Sequence, residues 1–209
     1  MKKFITYMPR QIPRPAAYEA VDNQRLHYGA IGEKPKQTQW PIVPVINGYA
    51  QEDDEIAVLA VTEIDYPNCK NNYHTFSNEV TALCKEKRVS LHNGEVTLVP
   101  VKYADDVVQC VESFQSVLDY IEDGDELHVC VTYGSKVGEI ILMMTLRYAR
   151  MVNKDVYISC VVYGGYDHDS DTSTIYDETA LLHLDEIVRM LAQYGDKNPK
   201  ETIRRIMAL

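Results

Sequence analysis

The chain is short of positive charge. Its 209 residues carry 21 lysines and arginines against 31 aspartates and glutamates, a formal net charge of −10. Proteins that grip duplex DNA or an RNA backbone normally present a basic face. The balance argues against such a role, but not against a small anion held by a few local donors. Long apolar runs are also missing, and none approaches the roughly 18–20 residues of a membrane span. The opening MKKFITYMPR has two lysines and only a short apolar stretch before proline, unlike a signal peptide. The chain reads as cytoplasmic and membrane-free. Its five cysteines, Cys69, Cys84, Cys110, Cys130 and Cys160, form no C-x-x-C pair and read as buried free thiols of a reducing compartment.

Several sequence signatures of known chemistry are absent as well. There is no G-x-x-x-x-G-K-[ST] loop and no G-x-G-x-x-G, so no nicotinamide cofactor is expected. There is no G-x-S-x-G elbow, and the six histidines are scattered, so no Ser/His/Asp triad assembles. The run YDHDSDTS at 166–173 has Asp167, His168, Asp169 and Asp171 but lacks the rest of an EF-hand loop, and it reads as an exposed acidic loop. No metal or other cofactor is called for. IRRIMAL is too short for a polyanion-binding tail, and no low-complexity repeat is visible.

What is present is an ordinary globular composition, 45% hydrophobic and 25% charged, long enough to bury a sizeable core. The segment 3–9 reads as a short strand. Residues 9–41, with prolines at 9, 13, 15, 35 and 41, read as a long irregular segment. The run 41–49, broken by Pro44, suits a helical turn or an edge strand. From residue 54 the pattern alternates: strand 54–64, helix 73–88, strand 95–103, a helix from 106 closed by Gly124, strand 126–134, helix 135–152, strand 155–165, a helix stopped by Gly195, and a last short helix from Pro199. The run Ile56–Val61 is continuously apolar, as in strands buried on both faces. The helix 135–152 is apolar on most sides and so packs within the domain or at an interface. This order predicts an α/β fold: a Rossmann-like, doubly wound, mainly parallel sheet flanked by helices.

In such sheets ligands bind beyond the carboxyl ends of the strands. That rule selects the loops after residues 7, 62, 132 and 163. They carry Tyr7, Met8, Pro9 and Arg10; Thr62 and Glu63; Thr132, Tyr133, Gly134, Ser135 and Lys136; and Tyr163 and Gly164. These are the candidate ligand-binding residues. TYGSK opens a helix, whose free N–H groups and dipole favour an anion. Gly134 allows close approach, Ser135 caps the helix or donates to a phosphate oxygen, and Lys136 adds charge.

Three stretches resemble a known family, the ligand-binding domain of CRISPR-associated Rossmann fold (CARF) proteins, in particular the subgroup with an Asp-x-Thr-His-Gly signature. CVTYGSK (130–136) matches in Thr132, Gly134 and a basic residue at Lys136. VYISCVVYGGYD with the later TIYDETALLHLDEIVRMLAQYGD resembles the next strand, its Tyr-Gly turn and a helix ending in Tyr-Gly-Asp. QWPIVPVINGYAQEDDEIAVLAVTE resembles the segment before the second principal strand. The signature's Asp is Cys130 here and its His is Tyr133.

The resemblance implies a CARF domain over 1–195, followed by a helix at 196–209 that starts a linker to a fused effector or belongs to a stand-alone sensor with a separate one. It implies a type III CRISPR sensor that binds a cyclic oligoadenylate, of four or six units, across a homodimer axis. Tyr7, Tyr133 and Tyr163 would then stack on or bond to adenines. Some relatives cut the ring without metal, by attack of the ribose 2′-OH on its neighbouring phosphate, and Thr132, Ser135 and Lys136 would be the catalytic residues of that step. An unrelated Rossmann-like nucleotide-binding protein is the remaining reading.

Overall fold

The computed structural model describes residues 1–20, 37–103, 106–170 and 172–207. Part of the expected irregular segment 9–41 therefore lies outside the described residues. Strand β1 is Lys2–Tyr7, β2 Tyr18–Ala20, β3 Glu55–Glu63, β4 Ser90–Leu91, β5 Thr97–Val101, β6 Glu126–Cys130, β7 Tyr157–Asp167 and β8 Thr172–Asp177. The helices are α1 Ile42–Tyr49, α2 Pro67–Lys87, α3 Val107–Leu118, α4 Lys136–Val152, α5 Thr179–Gln193 and α6 Pro199–Met207. The described strands form one sheet in the order β2-β8-β7-β6-β1-β3, with β4 and β5 both paired to β3. Every pairing is parallel except β7–β8. This is the expected mainly parallel α/β architecture.

The two sheet faces are covered separately, as parallel sheets require. On one face Phe4, Val58, Ala60 and Cys130 pack against Ile42 and Ile46 of α1 and Cys69, Phe76 and Val80 of α2. On the other, Ile5, Leu59, Val61, Val129 and Val161 pack against Val117 of α3, Leu142 and Leu146 of α4 and Leu182 of α5. The amino edge is pinned by Lys3, only 5% exposed. Its Nζ donates to the Tyr120 carbonyl at 2.7 Å and pairs with buried Asp125 at 2.8 Å.

Three expectations are corrected. The helix after β3 begins at Pro67, not near 73, because proline suits the first helical position; Asn68, Asn71 and Asn72 therefore lie on α2 and not ahead of it. Helix α3 stops at Leu118, short of Gly124. The turn that follows is closed by the Asp125 carboxylate, which accepts from Glu122 N at 2.7 Å. Strand β7 does not end at 165 but continues to Asp167, because β8 pairs back along it from Val162↔Asp177 to Asp167↔Thr172. The YGGY run is thus strand and not turn, and the described residues on either side of 171 belong to the far end of a hairpin. The segment 41–49 resolves as helix α1.

The core also holds an imidazole. His128 of β6 is fully buried, stacked on Phe4 with centroids 4.6 Å apart and against Tyr49 at 4.3 Å. Glu126 Oε1 stands 3.1 Å from its Nε2 but outside hydrogen-bond geometry. Burial, and secondarily Lys2, lowers the imidazole pKa to about 3. The unfolded chain therefore takes up a proton below its ordinary value of 6.5 that the folded chain refuses, and stability falls as pH drops from there toward 3. We expect His128→Phe to remove up to about 1.4 kcal/mol per pH unit from the acid-side slope of unfolding free energy. Urea denaturation of both proteins between pH 4 and 7 measures the difference; parallel slopes would refute it.

Candidate functional site

Parallel registry brings the four selected strand ends to one edge of the sheet. Tyr7 pairs with Val61, Thr6 with Cys130, and Cys130 with Val162. The ladder runs slightly further, as Met8 N donates to the Val61 carbonyl at 2.8 Å and Val131 N to the Val162 carbonyl at 2.9 Å.

The turn from β6 into α4 is shaped by the ring of Tyr7. Gly134 has φ +117°, and a Cβ there would stand 2.8 Å from Tyr7 Cγ; one on Gly138 would stand 3.0 Å from Tyr7 Cζ. Glycine at both positions lets the first turn of α4 lie on the ring. Ser135 caps the helix, its Oγ accepting from Gly138 N at 3.0 Å. The N–H groups of Lys136 and Val137 are left at the helix mouth without intrahelical acceptors. Lys136 is exposed and has no ion pair among the described residues. The Glu139 carboxyl, one turn on, is raised by partial burial, an effect that Lys136 offsets in part.

The remaining candidates divide between edge and interior. Tyr7, Met8, Pro9 and Thr62 are buried, so they close the edge from beneath and offer no platform for a base. The Thr62 hydroxyl donates to the Ala60 carbonyl at 3.0 Å. Burial, together with Glu63 and Glu139, holds the Tyr7 phenol far above the usual tyrosine range. Tyr133, where the resemblance has histidine, turns inward: its hydroxyl donates to the Gln39 carbonyl at 2.7 Å, and its ring meets Trp40 edge-on. Thr132 ties β6 to β7, its Oγ1 accepting from Gly164 N at 2.7 Å and lying 3.1 Å from Cys130 Sγ. Gly164 is also a close-approach point, since a Cβ there would come within 2.5 Å of Pro41 Cγ. Tyr163 stays exposed, stacked on Tyr176 at 6.4 Å.

Arg10 and Glu63 meet in a form that strand-end positions alone do not foretell. Arg10 Nε and Nη2 donate to the two carboxylate oxygens at 2.6 and 3.1 Å. The guanidinium lies over the rings of Tyr66 and Tyr103, 4.1 and 4.5 Å from their centroids. Two asparagines one helical turn apart on α2 hold this loop. Asn72 donates to the Pro9 and Gln11 carbonyls at 2.8 and 2.9 Å, and Asn68 to the Arg10 carbonyl at 3.0 Å. Their i, i+4 spacing behind Pro67 was the available sequence signal.

The acidic hairpin tip is a self-contained turn, in which the Asp167 carboxylate accepts from Asp169 N and the Ser170 hydroxyl at 2.9 and 2.7 Å. Among the described residues no three His, Cys, Asp or Glu side chains stand close enough to hold a metal ion, and no helix is long and apolar enough to cross a membrane. Next to the α4 mouth a groove of about 540 Å³ opens between α4 and α5, lined by Val131, Val161, Met144, Tyr163 and Leu181 among others.

Glu63 is 2% exposed, so loss of its partner leaves a buried carboxylate uncompensated. Arg10→Ala should cost about 3–5 kcal/mol in chemical denaturation. Arg10→Lys should recover only part of that, because lysine supplies neither the fork nor the stacking plane. A cost below about 0.5 kcal/mol, the scale of an ordinary surface change, would show that the pair carries no such load.

A comparison with protein-family models finds none that matches the chain, and one with curated proteins finds no match either.

Proposed function

We propose that the chain is a sensor domain that binds a cyclic oligoadenylate at the carboxyl edge of its sheet, as a homodimer with the ring across the two-fold axis. One observation carries the reading: Lys136, exposed and without an ion pair among the described residues, sits at the capped N-terminus of α4, beside a glycine turn at the end of a central strand. Free N–H groups, the helix dipole and an ammonium together favour a phosphate there. The CARF-like stretches supply the identity of the anion, and a ring with repeated phosphates suits an isologous pair of identical edges.

In this reading Lys136 and the α4 mouth take phosphate. Exposed Tyr163 is the aromatic that remains for a base. Thr132 and Ser135 act differently from a cutting site's nucleophile-positioning groups. Their hydroxyls already accept from Gly164 N and Gly138 N, which fits a rigid cradle. Tyr133 is spent on the Gln39 carbonyl. Recognition of the ring, not its cleavage, is therefore the proposed activity.

Isothermal titration with cyclic tri-, tetra- and hexa-adenylate, and with a linear oligoadenylate as control, tests this. We expect micromolar or tighter binding of at least one ring, weakened tenfold or more by Lys136→Ala, and recovery of the ring intact after long incubation in excess chelator. Failure of all three rings to bind at micromolar concentration would overturn the proposal; recovery of cut product would convert the sensor into a nuclease.

A further inference from the structure

The ends of β6 and β7 are closed on one face and open on the other. On the face of Cys130 and Val162 the chain covers itself: Tyr133 reaches the Gln39 carbonyl, and Gly164 lies against Pro41 and Tyr18. On the face of Val161 the groove between α4 and α5 stays open. Its volume of about 540 Å³ falls within the range of small-molecule sites, about 300–1,000 Å³. Val131, Val161 and Leu182 line its apolar part, and Tyr163, 43% exposed, adds an aromatic ring.

The charges along this groove are unequal. It is lined by three carboxylates, Glu139, Glu178 and Asp185, and by one guanidinium, Arg147. Arg147 is already paired with Asp185. Glu139, in the first turn of α4, and Glu178, at the N-cap of α5, make no side-chain hydrogen bond or salt bridge among the described residues. Nor are they spent as helix caps. Ser135 caps α4, and at the start of α5 the Asp177 carboxylate accepts from Thr179 N at 2.9 Å. Partial burial makes the charge of Glu139 costly, and Lys136 offsets that cost only in part, so a further cation there stabilises it. An apolar groove with two unmatched carboxylates is complementary to a positive charge carried on an apolar body, and repels an anion. The tyrosine in the same lining suits that charge as well, because aromatic faces attract ammonium groups.

We infer that the α4–α5 groove binds an organic ammonium ion, with its charge held by Glu139 and Glu178 and its apolar body on Val131, Val161 and Leu182. The inference rests on the groove alone and not on the ring proposed for the α4 mouth. Neighbouring sites then divide ligands by sign, anions at the helix N–H groups and Lys136, cations at the carboxylates of the groove.

2-Phenylethylammonium serves as the probe, with 2-phenylethanol and 3-phenylpropionate as its neutral and anionic counterparts. Amide shifts of the isotope-labelled native chain should place the amine at Val131, Val161 and Leu182. The amine should bind at least about tenfold more tightly than the alcohol, the scale of one charge-assisted hydrogen bond, and the carboxylate more weakly than either. Glu139→Gln combined with Glu178→Gln should bring the amine to the level of the alcohol. Both side chains are partly exposed, so thermal melts should show the double variant folded, and the three-probe comparison on the native chain decides the sign of the site whatever the variant does. Equal binding of amine and alcohol, preference for the carboxylate, shifts confined to other residues, or no binding at millimolar concentration would overturn the inference. So would an amine affinity that falls as protein concentration rises, which would put a second copy of the chain in the groove. If no ring binds while the amine does, the ligand assigned to the α4 mouth falls and the groove site stands.

Discussion

The packing of the Tyr7 ring under Gly134 and Gly138 is the contact on which the candidate site depends. It sets how close α4 comes to the end of β1, and hence where the capped helix mouth lies relative to the strand ends. A side chain at either glycine would lift the first turn of α4 from the sheet, and a smaller residue at 7 would leave a void beneath it. The ring's burial is thus a requirement of the site's geometry, although the ring itself never reaches solvent. The same edge is locked sideways by the Thr132–Gly164 hydrogen bond and, one strand over, by the Arg10–Glu63 fork between two tyrosines. These locks differ in chemistry but share an effect: loops after parallel strands, ordinarily the soft parts of such folds, are held by directional bonds to buried partners. In the proposed function, an anion at α4 would meet a surface whose ordering cost has largely been met in folding.

Much of this could be read from residue order. Continuous apolar runs marked the buried parallel strands, and the strand-end rule placed the right backbone segments at one edge. Ser135 before an apolar helix declared its cap. The misses have specific causes. Strand-end position locates a backbone but not the direction of a side chain. Tyr7 and Met8 occupy adjacent positions and point to opposite faces of the sheet, each into a core cluster and away from the exposed edge. Strand β8 hides its alternation, because its inward positions are Ser173 and Ile175 and its outward ones include Thr and Tyr, a weak contrast. Strands β2 and β4 are too short to carry any period. The Arg10–Glu63 pair joins two separate strand ends, and no local pattern connects a basic residue in one loop to an acid in another. Where the resemblance has histidine, residue type alone could not show that Tyr133 reaches back to the Gln39 carbonyl.

The pairing of β2 with β8, Tyr18 against Ser173 and Ala20 against Ile175, has a kinetic consequence. It is a contact of very large sequence separation, the kind whose loop-closure entropy must be met before any stabilisation is returned. Among the described residues β2 pairs only with β8, so contact order favours its joining the sheet after the β7–β8 hairpin. Until then β8 presents an unpaired edge, the feature through which folding intermediates associate wrongly. Three residues from near the start of the chain act as the closing clasp of a sheet whose centre forms without them.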